Sequence, residues 1–219
     1  MAFQVKTSIL SNSDGSAELI IGGTKVLVSI SGPIEPKIRQ ELPNQASLDI
    51  IIRPYKGLST TREKLLEDKL RQLLQSIIIR YKYPRQLIQI VVQFLIIDEI
   101  EEFTCNELNA AINCCYFALI DADLALYSSF VSVVACINSG NLLLNPPGDI
   151  LINSDSHHVI CYNIENQKAN KLLFLESDGE FTEETLFTIL AKTVSEAETL
   201  HQEQRKIIQA KIENDYIWK

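Results

Sequence analysis

The sequence has few of the residues that punctuate irregular chains. Among 219 residues there are only eight glycines and seven prolines, which excludes collagenous and linker-rich classes. Long apolar runs are also missing. The apolar runs include Ile77–Ile79 and Leu87–Ile97, the latter broken by Gln89 and Gln93. Neither reaches the roughly 20 residues of a membrane helix. Lys6, Ser8 and Asp14 interrupt any secretory signal core at the N-terminus. The histidines are His157, His158 and His201, none at finger spacing from a cysteine pair, so no metal site is expected. No Cys-x-x-Cys occurs. Cys105, Cys114, Cys115, Cys136 and Cys161 lie mostly in apolar segments and read as buried reduced thiols of a cytosolic or nuclear protein. Nucleotide-binding glycine loops, a Walker loop, Gly-x-Ser-x-Gly and His-Glu-x-x-His are absent as well.

What remains is a folded chain. Hydrophobic residues make up 46% and charged residues 22%, too apolar for disorder. Twenty-nine isoleucines against twenty-seven leucines favour a large β component. At this length one large core is the simpler organisation. The net charge of −8 argues against a general nucleic-acid coat, but it is unevenly spread. Residues 33–90 hold eleven basic and six acidic side chains, net +5. Residues 91–219 hold seven basic and twenty acidic, net −13.

Alternation of apolar and polar residues predicts strands over Phe3–Leu10, Ala17–Ile21 and Lys25–Ile30, with Gly22-Gly23 as a hairpin turn. Ser31-Gly32-Pro33 is expected to end the third run, and Ser47–Arg53 is a fourth strand. Thr60-x-x-Glu63 is a capping box ahead of a helix of about 20 residues, closed by Tyr83-Pro84. Gln86–Ile97 reads as a central strand. An acidic connection, Asp98–Thr104, leads into a second amphipathic helix that ends near Asp123. Four further strands are expected at Phe130–Ile137, Asn141–Leu144, His157–Ile164 and Lys171–Leu175, with Asp178-Gly179 as a turn. Thr182 caps a last helix with Glu183 and Glu184 in its first turn. Strand runs separated by single helices define an α+β class. The middle strand–helix–strand–helix segment is expected to couple two β-rich halves, with three main helices in all.

The basic segment supplies the first candidate site. Lys37, Arg39, Arg53, Lys56 and Arg62 fall in loops or at element ends. They read either as a solvated surface or as contacts to a phosphate backbone, which cations hold in a salt-dependent, sequence-independent way. Tyr55 is the one aromatic beside them that could serve as a stacking platform. Ser156-His157-His158 reads as strand residues.

Several ordered segments resemble the RNase PH family. They are Gly32-Pro33-Ile34-Glu35-Pro36, Arg39-Gln40-Glu41, Thr61-Arg62-Glu63 before a long helix, and Tyr83-Pro84-Arg85-Gln86-Leu87-Ile88-Gln89-Ile90 entering a strand. Asn109-Ala110-Ala111-Ile112-Asn113 and Ala118-Leu119-Ile120-Asp121-Ala122 resemble the family's second helix. The likeness covers almost the whole chain, so a single RNase PH-like domain over 1–219 is expected. The segments look most like the catalytically silent, RNase PH-like ring subunits of the eukaryotic RNA exosome.

The resemblance implies an RNA-threading six-membered ring with other RNase PH-like subunits, RNA-binding cap subunits and a separate nuclease. Its expected setting is the nucleus, nucleolus and cytoplasm, with single-stranded RNA as substrate of the assembly and neither cofactor nor membrane involved. Active members use phosphate to cleave the 3′-terminal linkage of RNA. They hold it at a Gly-Gly-Thr-Arg type turn opening the second helix. Here that stretch is Cys105-Asn106-Glu107-Leu108, without the glycines or the arginine. Asp98, Glu99, Glu101, Glu102 and Glu107 crowd the turn. A carboxylate about 5 Å from a phosphate charge costs roughly 3 kcal/mol at an effective dielectric of 20. Asp149 and Asp155 keep the spacing of the family's acidic pair and read as surface acids or a remnant of that pair. The competing expectation is an active phosphate-dependent 3′–5′ exoribonuclease.

Overall fold

The computed structural model describes residues 3–215. Its strands are β1 (Phe3–Thr7), β2 (Gly15–Ile21), β3 (Thr24–Ile34), β4 (Ser47–Arg53), β5 (Leu87–Ile96), β6 (Ser129–Asn138), β7 (Asn141–Leu144), β8 (Ser156–Glu165) and β9 (Lys168–Gly179). The helices are α1 (Thr61–Ile77), α2 (Cys105–Asp121), the short α3 (Gly148–Leu151) and α4 (Glu183–Asp215). The first sheet has the order β1-β2-β3-β5-β4, and the second β7-β6-β8-β9. All neighbours run antiparallel except β4 and β5, which are parallel and joined through α1.

Side-chain alternation explains the layering. Along β3, Val26, Val28 and Ile30 point to one face and are buried, while Lys25, Leu27 and Ser29 are half-buried on the other. Ile50, Ile52, Ile88, Ile90 and Val92 extend that buried face, and α1 and α2 both pack on it. Strands β6 and β8 are buried on both faces. One face meets α2; the other meets α4 through Ile189, Ala197 and Leu200 against Val131, Val133 and Ile160. The order of layers is sheet, helices, sheet, helix. Helix α2 is consequently buried almost all round, from Cys105 to Leu119.

One side chain ties α2 to the second sheet. Asn113 Nδ2 donates to the Asn109 carbonyl, the Asn109 side chain and the Ser132 carbonyl, while its Oδ1 accepts from Ser132 N–H. At the far end of α2, Asp121 accepts from Ser16 N–H at 2.8 Å and Ser8 Oγ at 2.6 Å, and is paired with Lys211 of α4. Burial alone would raise that carboxyl, but Lys211 and Ser8 hold it below the usual carboxylate range.

The expected elements appear in the expected order, with four departures. First, β3 continues through Gly32 to Ile34 by a register shift after Ser31. Gly32 makes this possible: its φ is 144°, and a Cβ there would meet the Leu87 carbonyl at 2.7 Å. Second, α1 ends at Ile77 rather than near Tyr83-Pro84. Ile78 turns extended and forms a bridge with Leu126, while Ile79 N–H donates to the Ala125 carbonyl. Tertiary backbone pairing overrides helix continuation in this β-branched run. Third, Asp178-Gly179 closes β9 opposite Ser156 and His157 instead of forming a free turn. Fourth, α3 fills the stretch after Pro146-Pro147.

All five cysteines are free and buried, and burial raises every thiol. His158 is likewise buried. Its ring lies between Ser156 Oγ at 3.1 Å and Ser177 Oγ at 2.8 Å, with its pKa lowered to about 4 by burial and by His157. No described helix is long and apolar enough to cross a membrane.

Candidate functional site

The opening turn of α2 lies where β5 leaves the first sheet. Helix termini carry unpaired N–H groups and attract anions. Here the chain supplies its own anion. Glu99 Oε2 accepts from Asn106 N–H at 3.1 Å, and Glu99 Oε1 accepts from Glu107 N–H at 2.8 Å. The carboxylate is only 8% exposed. Burial pushes its pKa up to about 7, against the lowering effect of those two backbone bonds.

Glu107 stands one residue further on and is 1% exposed. Its Oε2 lies 2.9 Å from Arg62 Nη1. Burial raises this carboxyl while Arg62 opposes the rise. Arg62 also reaches Glu63 at 3.4 Å, and it donates from Nε to the Glu101 carbonyl and from Nη2 to the Phe103 carbonyl. The guanidinium therefore clamps the acidic connection to the start of α1. The Thr60 capping box places it there, with Thr60 N–H donating to Glu63 at 2.6 Å. The adjacent Asp98 accepts from Gly148 N–H at 3.0 Å. A Cβ on Gly148 would come 1.9 Å from the Asp98 carbonyl oxygen, so the backbones approach too closely for any side chain.

A cleft of about 540 Å³ opens beside this clamp, bordered by Tyr55, Lys56, Leu58, Glu99, Ile100 and Glu101. Lys56 Nζ sits 5.1 Å from the centroid of the Tyr55 ring. Arg53, at the end of β4, and Lys56 are exposed at this end of the sheet.

Lys37 and Arg39 lie elsewhere. They are exposed in the loop between β3 and β4, which is tied to the opposite end of the sheet by Ala46 N–H on the Arg80 carbonyl and Arg85 N–H on the Leu42 carbonyl. Strand β4, seven residues long, separates the two groups by about 20 Å. The structure thus gathers Arg53, Lys56 and Arg62 at one end, and leaves Lys37 and Arg39 at the other. Arg62 is spent on internal contacts; Lys37, Arg39, Arg53 and Lys56 make no ion pair among the described residues.

The acids after the Pro-Pro turn are also placed apart in role. Asp149 is exposed in the first turn of α3. Asp155 is exposed too, but its Oδ2 accepts from Ser139 N–H at 2.9 Å and closes the β6–β7 turn. Sequence reasoning missed two things: Glu99 as the internal partner of the helix start, and the ion pair between Arg62 and Glu107. The acidic run signals charge but not which member turns inward.

Two sheets sandwiching a buried helix, with a parallel strand pair crossed by α1 at one edge, define an RNase PH-like α+β protein. The sequence matches the model of the 3′ exoribonuclease family, domain 1, over residues 2–125, and the chain belongs to that RNase PH family. It is 42% identical to the "Exosome complex component RRP46" of Saccharomyces cerevisiae, over 97% of this chain and 97% of that protein. It is 33% identical to the Schizosaccharomyces pombe protein of the same name, over 93% of this chain and 88% of that one. The crystal structure of rice (Oryza sativa) Rrp46 superposes with a TM-score of 0.86 at 23% identity, covering 95% of this chain and 94% of that chain, a likeness of fold.

Proposed function

We propose that this chain is a non-catalytic structural subunit of an RNA exosome ring, folded as one RNase PH-like domain over residues 1–219. The observation that carries the assignment is the 42% identity to a yeast exosome component along nearly the full length of both chains. In this reading the partners are other RNase PH-like ring subunits, RNA-binding cap subunits and a separate nuclease, with single-stranded RNA passing through the assembly. The processes served are 3′–5′ RNA processing and decay, in the nucleus, nucleolus and cytoplasm. Lys37, Arg39, Arg53 and Lys56 contribute phosphate contacts, and Arg62 positions the acidic connection.

The absence of catalysis is supported by the start of α2. Active relatives are expected to hold phosphate at this turn, where Glu99 already accepts from two backbone N–H groups. An incoming phosphate dianion would have to displace that carboxylate and lie beside buried Glu107. Asp149 and Asp155 then serve structure, as a solvated helix-start acid and a turn acceptor.

Affinity purification of the tagged chain from cells tests the assembly. The expected result is a stoichiometric complex containing other RNase PH-like subunits. A chain recovered only as a monomer or small homo-oligomer overturns it. Incubating the purified chain with 3′-unpaired RNA and inorganic phosphate tests the chemistry. Release of nucleoside diphosphates, lost in Asp149→Ala, would establish the competing phosphorolytic reading instead.

A further inference from the structure

Two tyrosines that are far apart in sequence meet at the surface. Tyr81 lies in the 3-10 turn Arg80–Lys82, and Tyr127 in the connection from α2 to β6. Their ring centroids are 6.4 Å apart at an interplanar angle of 53°. Both remain largely solvent-exposed, at 61% and 60%. Single exposed apolar side chains need no explanation, but adjoining ones form a patch on which a partner can dock.

The backbone holds them rigidly. Tyr127 N–H donates to the Ile77 carbonyl at 2.9 Å, Ile79 N–H donates to the Ala125 carbonyl at 2.9 Å, and Ile78 bridges Leu126. The termination of α1 at Ile77 therefore presents Tyr81 against Tyr127. Tyr83 reinforces the arrangement from below, its hydroxyl accepting from Ala125 N–H at 3.1 Å. A platform ordered before binding loses little entropy when a ligand arrives.

The surrounding charge selects the ligand. Arg80 and Lys82 flank Tyr81 directly, and neither makes an ion pair among the described residues. Arg85 contacts Glu41 at 3.6 Å. Lys37 and Arg39 belong to the loop tied to this same turn. The acids on these segments are Glu35, Glu41 and Asp123, so cations outnumber them five to three. Flat aromatic faces bordered by unpaired cations suit bases stacked on rings with phosphates held alongside.

We infer that Tyr81 and Tyr127, with Arg80 and Lys82, form a stacking platform for single-stranded RNA at the end of the sheet opposite the clamped turn of α2. This rests on the proposed exosome function for its biological setting, but the platform is a property of the chain alone. It holds RNA without sequence preference, because every base offers a π-face.

The test is fluorescence anisotropy of a labelled oligouridylate on the purified full-length chain. Tyr81→Ala with Tyr127→Ala is expected to weaken binding about tenfold or more. Tyr81→Phe with Tyr127→Phe keeps the affinity, since the stacking ring survives. Lys82→Ala lowers the slope of affinity against salt, whereas the tyrosine changes leave that slope unaltered. Circular dichroism melts of all variants should coincide, because the rings are exposed. Unchanged anisotropy in the alanine pair overturns the platform. If that pair instead loses its co-purifying ring subunits while binding RNA normally, the tyrosines are a protein contact and the inference is equally overturned. Loss of RNA affinity in a chain that recruits no ring partners would uphold the platform and sink the exosome reading.

Discussion

Replacing Glu99 by glutamine measures what the buried carboxylate costs the fold. The ordinary carboxyl pKa of 4.5 is raised to about 7 at this position, mainly by burial. Between those values the folded chain holds a proton that the unfolded chain has released. Folding stability from this group is therefore full below about pH 4.5, declines as pH rises through the window, and is lost above about 7. The span corresponds to about 3 kcal/mol. Glutamine resembles the protonated acid and carries no charge to bury. Glu99→Gln should match the parent chain near pH 4.5 and exceed its stability by about 3 kcal/mol at pH 8. For a chain of this size that is a rise in Tm of about 6–12 °C.

The assay is urea denaturation of parent and variant in parallel from pH 4.5 to 8. The difference between the two curves isolates Glu99 from other titrating groups. Glu107 is raised as well and pulls in the same direction, while Glu63 and Asp121 are lowered and lose their stabilisation as pH falls. A gap between variant and parent that stays constant across the range would refute the reasoning. So would a variant that is less stable at pH 8, which would mean that the ionised carboxylate's bonds to the α2 N–H groups outweigh its desolvation.

Three further substitutions address the packing of α2. Arg62→Ala leaves the Glu107 carboxylate buried without its cation and should cost about 2–4 kcal/mol, the quarter-exposed guanidinium tempering the full buried-pair value. Adding Glu107→Gln should recover more than 1 kcal/mol of that loss in denaturant melts, and strictly additive costs would show the two groups to be uncoupled. Asn113→Ala strands the Ser132 N–H and carbonyl between the sheets and should cost about 2–3 kcal/mol, read as a lower denaturation midpoint with an unchanged m-value.

Local patterns foretold most of the secondary structure. The Thr60 capping box marks the start of α1, and the isoleucine-rich run Ser47–Arg53 gives β4 with both boundaries. Such signals are carried by neighbours in sequence. The missed features depend on residues that meet only in the fold. Ile78 leaves its helix because Leu126 offers a backbone partner. The positive segment reads as one island along the chain, yet β4 carries its two halves to opposite ends of a sheet. Arg62 belongs by spacing with the other cations, but Glu107 and the Glu101 and Phe103 carbonyls claim it. Tyr81 and Tyr127 carry no sequence signal at all, since nothing local distinguishes a tyrosine with a partner from one without.

The all-round burial of α2 has a consequence for how the chain is made. During synthesis the first sheet and α1 are complete while α2 still has a bare apolar flank. Phe117, Ile112 and Leu119 belong to a core that Phe130, Val134 and Val159 complete only when the later strands emerge. In that interval the nascent protein carries an exposed greasy ridge, the kind of surface on which chains aggregate or chaperones dock. The helix that binds the two halves into one body is thus also the place where an interrupted or slowed translation product is most vulnerable.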